Sequence, residues 1–440
     1  MHRKATVGAL AAAIALLATA CTGSTGASAD DDPNAEVTLT FWHGWSAPNE
    51  VAAVNANVKR FEKVHPNIKV KVVSNVTDDK IQQALRAGGS NAPDVVSSFT
   101  TDNVGKFCSS GAFADLAPFV QKSKLDLEKT FARTRLDYTQ FEGKRCTLPL
   151  LGDAYGLYYN KDAFKEAGIT APPKTWDEFD EIAKKLTKPK GSSYERVGFM
   201  PNFHGYESTI GHLAAQWGPT YFDASGKSNV AKDPAFARML TWQKNLVTKL
   251  GGFDKLERFR TTFGDEWGAK HPFHTQQVAM QLDGEWRLGM ALDAKVPFDI
   301  GVAPLPVPAD QIGEYGKGYL SGTIAGIAAT SHKQNAAWQF LKYLTTDTDA
   351  VVDFANELRN VPSTTAALAS PRLKFDPRFK TFLDIAANPK STTTPASVNG
   401  GAYQVTLQDL GFRHESGKAN LKSDLEKTAQ QIDTDIEKAK

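Results

Sequence analysis

Aromatic and short polar side chains gather where β-prone runs give way to loops, and they carry most of the chemistry this sequence offers. Trp42, His43 and Trp45 follow the alternating run Val37, Leu39, Phe41. Phe99 and Asp102 lie at the end of a β-prone run that starts Asp94-Val95-Val96. Asp153 and Tyr155 lie in a glycine-punctuated run, and Tyr206 and Glu207 follow Arg196 to Met200. Glu285, Trp286 and Arg287 follow Gln277 to Leu282 across an Asp283-Gly284 turn. Aromatic faces beside carboxylates, guanidinium and backbone groups suit a ligand with an apolar face and a hydroxyl edge, which is how a pyranose ring is built. There is no GxxxxGK[ST], HExxH or GxSxG motif, and the nine histidines show no metal-ligand spacing. No cofactor and no metal is therefore expected. Carboxylates are plentiful, so a glycosidase pair stays open at this level.

Each of these residues also has a plainer use. A tryptophan after a strand ordinarily packs into the core, His43 could bond a loop carbonyl, and Asp153 could be a turn residue. Trp286 stands apart because Asp283-Gly284 leaves it on a turn. Trp176 and Trp338 read as helix packing. Taken together, the loop aromatics fall at one expected edge of two sheets, which argues for a shared site.

The elements that would position them follow in order. The strand at Val37–Phe41 precedes a helix from Pro48 with Val51, Val54, Val58 and Phe61 at helical spacing. A second strand covers Ile68, Val70 and Val72. A helix capped by Thr77 or Asp78 stops at Gly88-Gly89, and a third strand starts at Asp94. Strand, helix, strand, helix, strand implies right-handed crossovers and a parallel sheet, with ligands outside the carboxyl ends of the strands. A second α/β region follows Thr147, with helices near Thr209–Trp217 and Asp233–Leu250. The chain would cross between the two regions at Leu148–Gly152, at Ile300–Pro306 and within Thr345–Val361. Ser321–Ile327 would be a strand back in the first region, and an amphipathic helix with Leu421, Leu425, Ile432 and Ile436 closes the chain.

Of the 440 residues, 41% are hydrophobic and 23% charged, the balance of a folded globular protein. Residues 1–20 read as a signal peptide, with Arg3 and Lys4 ahead of an apolar stretch too short to span a bilayer. The formal charge of +2 comes from that segment alone, which argues against a nucleic-acid partner. Leu17-Ala18-Thr19-Ala20-Cys21 resembles a bacterial lipobox, and the polar stretch within 21–35 is a tether suited to a lipid-anchored domain. An exported chain meets an oxidising environment, so Cys108 and Cys146 are a disulfide candidate; two buried thiols are the alternative.

Gly152 to Phe179, GDAYGLYYNKDAFKEAGITAPPKTWDEF, combines a β-prone aromatic run, a short helix capped by Asn160, Pro172-Pro173, and a capping box at Thr175 to Glu178. This stretch resembles the YYNKDxFxxAG…PPxTWxEF signature of extracellular sugar-binding proteins of ABC-type importers, a maltose-binding-protein-like family. Similarity recurs from about Val37 to the C-terminus. The resemblance implies an α/β fold of two lobes joined by a three-segment hinge, with the ligand in the cleft between them. Residues 36–148 and 300–348 would form the first lobe, and 149–299 and 349–440 the second. Asp102, Asp153, Tyr206 and Trp286 match family binding positions, and Tyr403 lies where the family often places a stacking aromatic. The implied role is a monomeric, non-enzymatic binding component that captures a sugar, an oligosaccharide by its loop aromatics. It would hand the sugar to a membrane permease pair from the outer face of the cell membrane. A secreted carbohydrate-active enzyme and a non-transport sugar sensor are the alternatives.

Overall fold

The computed structural model describes residues 35–89, 92–201 and 207–440. Cys21, most of the tether and Tyr206 lie outside these residues. Ten strands are found among them: β1 (Val37–Trp42), β2 (Ile68–Val73), β3 (Val95–Ser98), β4 (Leu148–Asn160), β5 (Lys188–Lys190), β6 (Ser193–Phe199), β7 (Val278–Gly284), β8 (Ile300–Ala303), β9 (Leu320–Ile327) and β10 (Val361–Pro362). They run in the order β2-β1-β3-β9-β4-β7-β6-β5, with β8 and β10 also on β4. The expected helices form. Thr77 caps Asp78–Ala87, and Thr175 and Glu178 make the capping box of Trp176–Leu186, both as expected; Ile210–Trp217 has a threonine cap, Thr209, that was not.

Two separate hydrophobic cores define two lobes. One gathers Leu39, Phe41, Phe61, Leu148, Ile327, Phe340 and Phe354, with a smaller cluster around Val96, Phe107 and Ile324 on the other face of its sheet. The second gathers Leu157, Phe179, Phe199, Met280, Phe382 and Leu407. The first sheet is parallel only over β2-β1-β3; β3 meets β9, and β9 meets β4, in antiparallel register. The parallel sheet expected of the first three strands forms, and β9 and β4 join it antiparallel because they are chain passes between the lobes, not products of βαβ crossovers.

The passes differ from the expected ones. β4 is a single strand shared by both lobes. Its first half, Leu148–Ala154, pairs with β9, and Tyr155–Asn160 pairs with β7 and β8. The change of partner therefore comes after Gly152, inside an unbroken strand. Gly152 is fixed by space, since a Cβ there would lie 1.5 Å from Nη1 of the buried Arg135. Ile300–Pro306 is not a crossing, because β8 still belongs to the second lobe; the chain returns at Tyr319–Leu320. The helix Thr348–Leu358 stays with the first lobe, where Glu357 pairs with Arg60 of Pro48–Val64 at 3.0 Å. Val351, Val352, Ala367 and Leu373 cluster together, and Phe375, which packs against both cores, marks the last pass. The boundaries at 300 and 349 thus move to about 320 and about 375. The apolar stripe of Thr348–Leu358 matches the first core and holds the chain there.

Cys108 and Cys146 have Cα atoms 5.5 Å apart, within bonding reach, and both lie in the first lobe.

Candidate functional site

Register places the aromatic centre. Tyr155 sits opposite Gly284 in the β4–β7 ladder, so the Trp286 ring meets it edge-on at 5.4 Å. Trp286 lies over Gly284, where a Cβ would come within 2.3 Å of the indole. His212 covers Tyr155 at 4.1 Å and Tyr319 at 4.7 Å. Burial lowers the His212 pKa to about 4, so the ring is neutral, with Nδ1 2.7 Å from the Glu207 carbonyl.

Glu285 and Arg287 flank Trp286 and are themselves wholly buried. Arg287 binds Asp283 at 2.6 Å and donates to the Glu266 carbonyl at 3.0 Å. Glu285 turns into the hinge. One carboxylate oxygen accepts the Ala154 N–H at 2.9 Å; the other accepts Asn360 Nδ2 at 2.9 Å. The same Asn360 nitrogen donates to Asp153 at 3.2 Å. Glu285 therefore links the second lobe to the β4 pass and to the residue ahead of β10, which pairs with β4. Burial pushes its carboxyl well above the ordinary range and lifts Asp153 to about 6; Arg135 and the polar partners of Asp153 hold it back in part.

On the first lobe the expected loop residues separate. Phe41, His43 and Trp45 share one face, and His43 stands between the other two at 5.6 and 5.4 Å. His43 is fully buried and Trp45 nearly so, against Phe354. These two are core residues, because strand alternation continues past β1 into the loop. Trp42 faces the other way and lines a cavity of about 530 Å³ with Ser74, Asn75, Lys80 and Gln83. Phe99 is 46% exposed and meets the Trp45 edge at 5.2 Å. Asp102 accepts Thr394 Oγ1 at 3.0 Å, and its carboxyl is pushed up by burial. Tyr403 is buried among Tyr221 and Phe222, with its hydroxyl donating to the Pro395 carbonyl at 2.7 Å. It packs the second lobe and does not stand as a free platform.

The loop carrying Thr394 belongs to the second lobe yet reaches the first. A Cβ on Gly105 would strike the Ser397 carbonyl at 2.0 Å. The lobes therefore touch outside the hinge.

The structure thus gathers Asp153, Tyr155, Glu207, Glu285, Trp286 and Arg287, and sets Phe99 and Asp102 on the facing lobe. Arg135, His212, Asn360 and Ser321, whose hydroxyl donates to Asp153 at 3.4 Å, escaped the sequence reading. None stands in a motif, and only the hinge geometry brings them in. Among the described residues no group of His, Cys, Asp and Glu is placed to hold a metal ion.

Residues 46–351 match the bacterial extracellular solute-binding protein family. The chain belongs to that family. It is 26% identical over 409 residues to the maltotriose-binding protein of Pyrococcus abyssi, covering 87% of this chain and 80% of that one. It is 28% identical over 294 residues to the sn-glycerol-3-phosphate-binding periplasmic protein of Brucella suis, covering 65% and 66%. The solved structure of CpMnBP1 with mannotriose bound superimposes with a TM-score of 0.78 at 26% identity, covering 90% of this chain and 99% of that one.

Proposed function

We propose that this solute-binding protein captures an oligosaccharide between its lobes and delivers it to the permease pair of an ABC-type importer. The observation that carries the reading is Trp286. Its indole lies on the Gly284 backbone beside Tyr155, where the hinge passes converge. A sugar face stacked there would find hydroxyl partners in Asp153, Glu207 and, across the cleft, Asp102. Contacts to both lobes would favour closure, since a ligand shifts the lobe equilibrium only by its differential affinity for the two states.

The chain acts by binding, without catalysis, in this reading. Asp153 and Glu285 both accept a hydrogen bond from one Asn360 nitrogen. A retaining glycosidase instead holds its two carboxyls about 5 Å apart around the sugar. The protein works as a monomer, held at the outer face of the cell membrane by a lipid on Cys21 and stabilised by a Cys108–Cys146 disulfide.

A thermal-shift screen of monosaccharides, oligosaccharides and sn-glycerol 3-phosphate tests the proposal. A rise in melting temperature with an oligosaccharide supports it. A rise with glycerol phosphate alone, or products released from oligosaccharides, would replace it.

A further inference from the structure

We propose that Trp267 is a second carbohydrate platform of this cleft, taking the ring next to the one on Trp286 and so selecting oligosaccharides over single sugars. The inference rests on the sugar-binding reading above and goes beyond it in assigning the second ring's contact.

Trp267 is the one exposed tryptophan of eight, with 58% of its surface open. An isolated apolar surface residue needs no explanation, but a tryptophan held in place beside a binding aromatic does. Its backbone N–H donates to Asp265 Oδ1 at 2.8 Å, and the Gly268 N–H donates to the Asp265 carbonyl at 3.1 Å. Arg287 Nη1 holds the preceding carbonyl, Glu266, at 3.0 Å. The Arg287 guanidinium lies 5.8 Å from the Trp267 ring centre, in cation–π range. Arg287 is buried and bound to Asp283, so the support beneath the indole is itself fixed. The exposed ring is thus ordered before any ligand arrives, which lowers the entropic cost of stacking.

The spacing decides how the two indoles are used. Their centroids lie 6.3 Å apart with planes at 39°. A sugar clamped between parallel faces would need about 7–8 Å, two contacts of about 3.5–4 Å each. Trp267 and Trp286 therefore do not close on one ring. They present two adjoining, tilted facets that consecutive rings of a bent chain would meet in turn. A polar partner is at hand, because Glu266 Oε1 is buried with no hydrogen-bond donor. Burial and the Asp283 charge raise this carboxyl to about 7, so near neutral pH it can accept from or donate to a sugar hydroxyl.

The test is calorimetry on the whole protein with maltotriose, mannotriose and cellotriose, each beside its monosaccharide. Trp267→Ala should weaken trisaccharide binding about tenfold or more and leave the monosaccharide unchanged, whereas Trp286→Ala should weaken both. Trp267→Phe should recover most of the loss and Trp267→Leu should not, which separates an aromatic face from mere bulk. Trisaccharide affinity unchanged in Trp267→Ala overturns the platform while leaving the sugar reading intact. Wild-type protein that binds no sugar of a wider panel overturns both.

Discussion

Glu285→Gln tests whether the hinge stores a proton. Glu285 is wholly buried and Asp153 half-buried, and the two carboxyls share Asn360. Arg135, Tyr138, Tyr155, Glu207 and Asp283 are the ionisable groups around them, and Arg135 is the cation that favours the Asp153 charge. Burial lifts Asp153 from 3.8 to about 6 and Glu285 further from its ordinary range. A raised folded-state pKa means the native protein holds protons that the unfolded chain releases. This contribution to stability is full below about pH 4 and is lost as pH rises through the folded values. For Asp153 the loss reaches at most about 3 kcal/mol at neutral pH. With an unfolding entropy of about 2 cal/mol/K per residue, a chain of about 400 ordered residues would melt about 3–4 °C lower. The amide introduced by Glu285→Gln keeps an acceptor for the Ala154 N–H and offers Asp153 an N–H donor that needs no added proton. Residue 285 then no longer titrates while burial still raises Asp153, so the loss between about pH 4 and pH 7 should shrink to the Asp153 share. The acceptor lost to Asn360 or Val361 adds an offset that does not vary with pH. Differential scanning calorimetry over that range reads the slope directly. Parallel curves for wild type and variant refute the shared proton.

Three other outcomes are expected. Gly105→Ala gains up to about 1 kcal/mol of helix propensity, yet must displace the Ser397 carbonyl 2.0 Å from the new Cβ; the lobes should melt normally while small-angle scattering shows a wider molecule, and an unchanged radius would refute the steric argument. Cys108→Ser opens a loop of 38 residues' separation, costing at most about 4 kcal/mol, and should lower the melting temperature without touching sugar affinity, because both cysteines lie in one lobe; equal melting would show that the bond adds nothing. Cys21→Ser should move the protein from the membrane to the aqueous fraction, and continued membrane association would remove the lipid anchor from the proposal.

Local elements are legible because their signals are local. The capping box at Thr175 and Glu178, the Pro48 helix start and the Gly88 stop each depend on residues within a turn of one another. Strand alternation is plain in the sequence, but where it ends is not. Phe41, His43 and Trp45 follow the same period beyond β1, so two of the three expected loop ligands point into the core. Tyr403 shows the same limit: its position in the chain is visible, but not that Tyr221 and Phe222 would cover its ring.

By itself the sequence determined the α/β class, the absence of the common catalytic motifs, the family signature in Gly152–Phe179 and the turn that carries Trp286. Each of these depends on residue type and short spacing. Tertiary structure alone decided the hinge and the membership of the site. β4 serves two sheets without any break in its apolar pattern, so no composition change marks the pass. The helix Thr348–Leu358 joins the first lobe because its stripe fits that core, a choice between two apolar surfaces that its own residues do not record. Asn360, Glu285 and Asp153 are more than a hundred residues apart in places, and only the pairing of β4 with both β7 and β10 makes them neighbours. Trp267 likewise became a candidate only when Arg287, twenty positions on, was found beneath it.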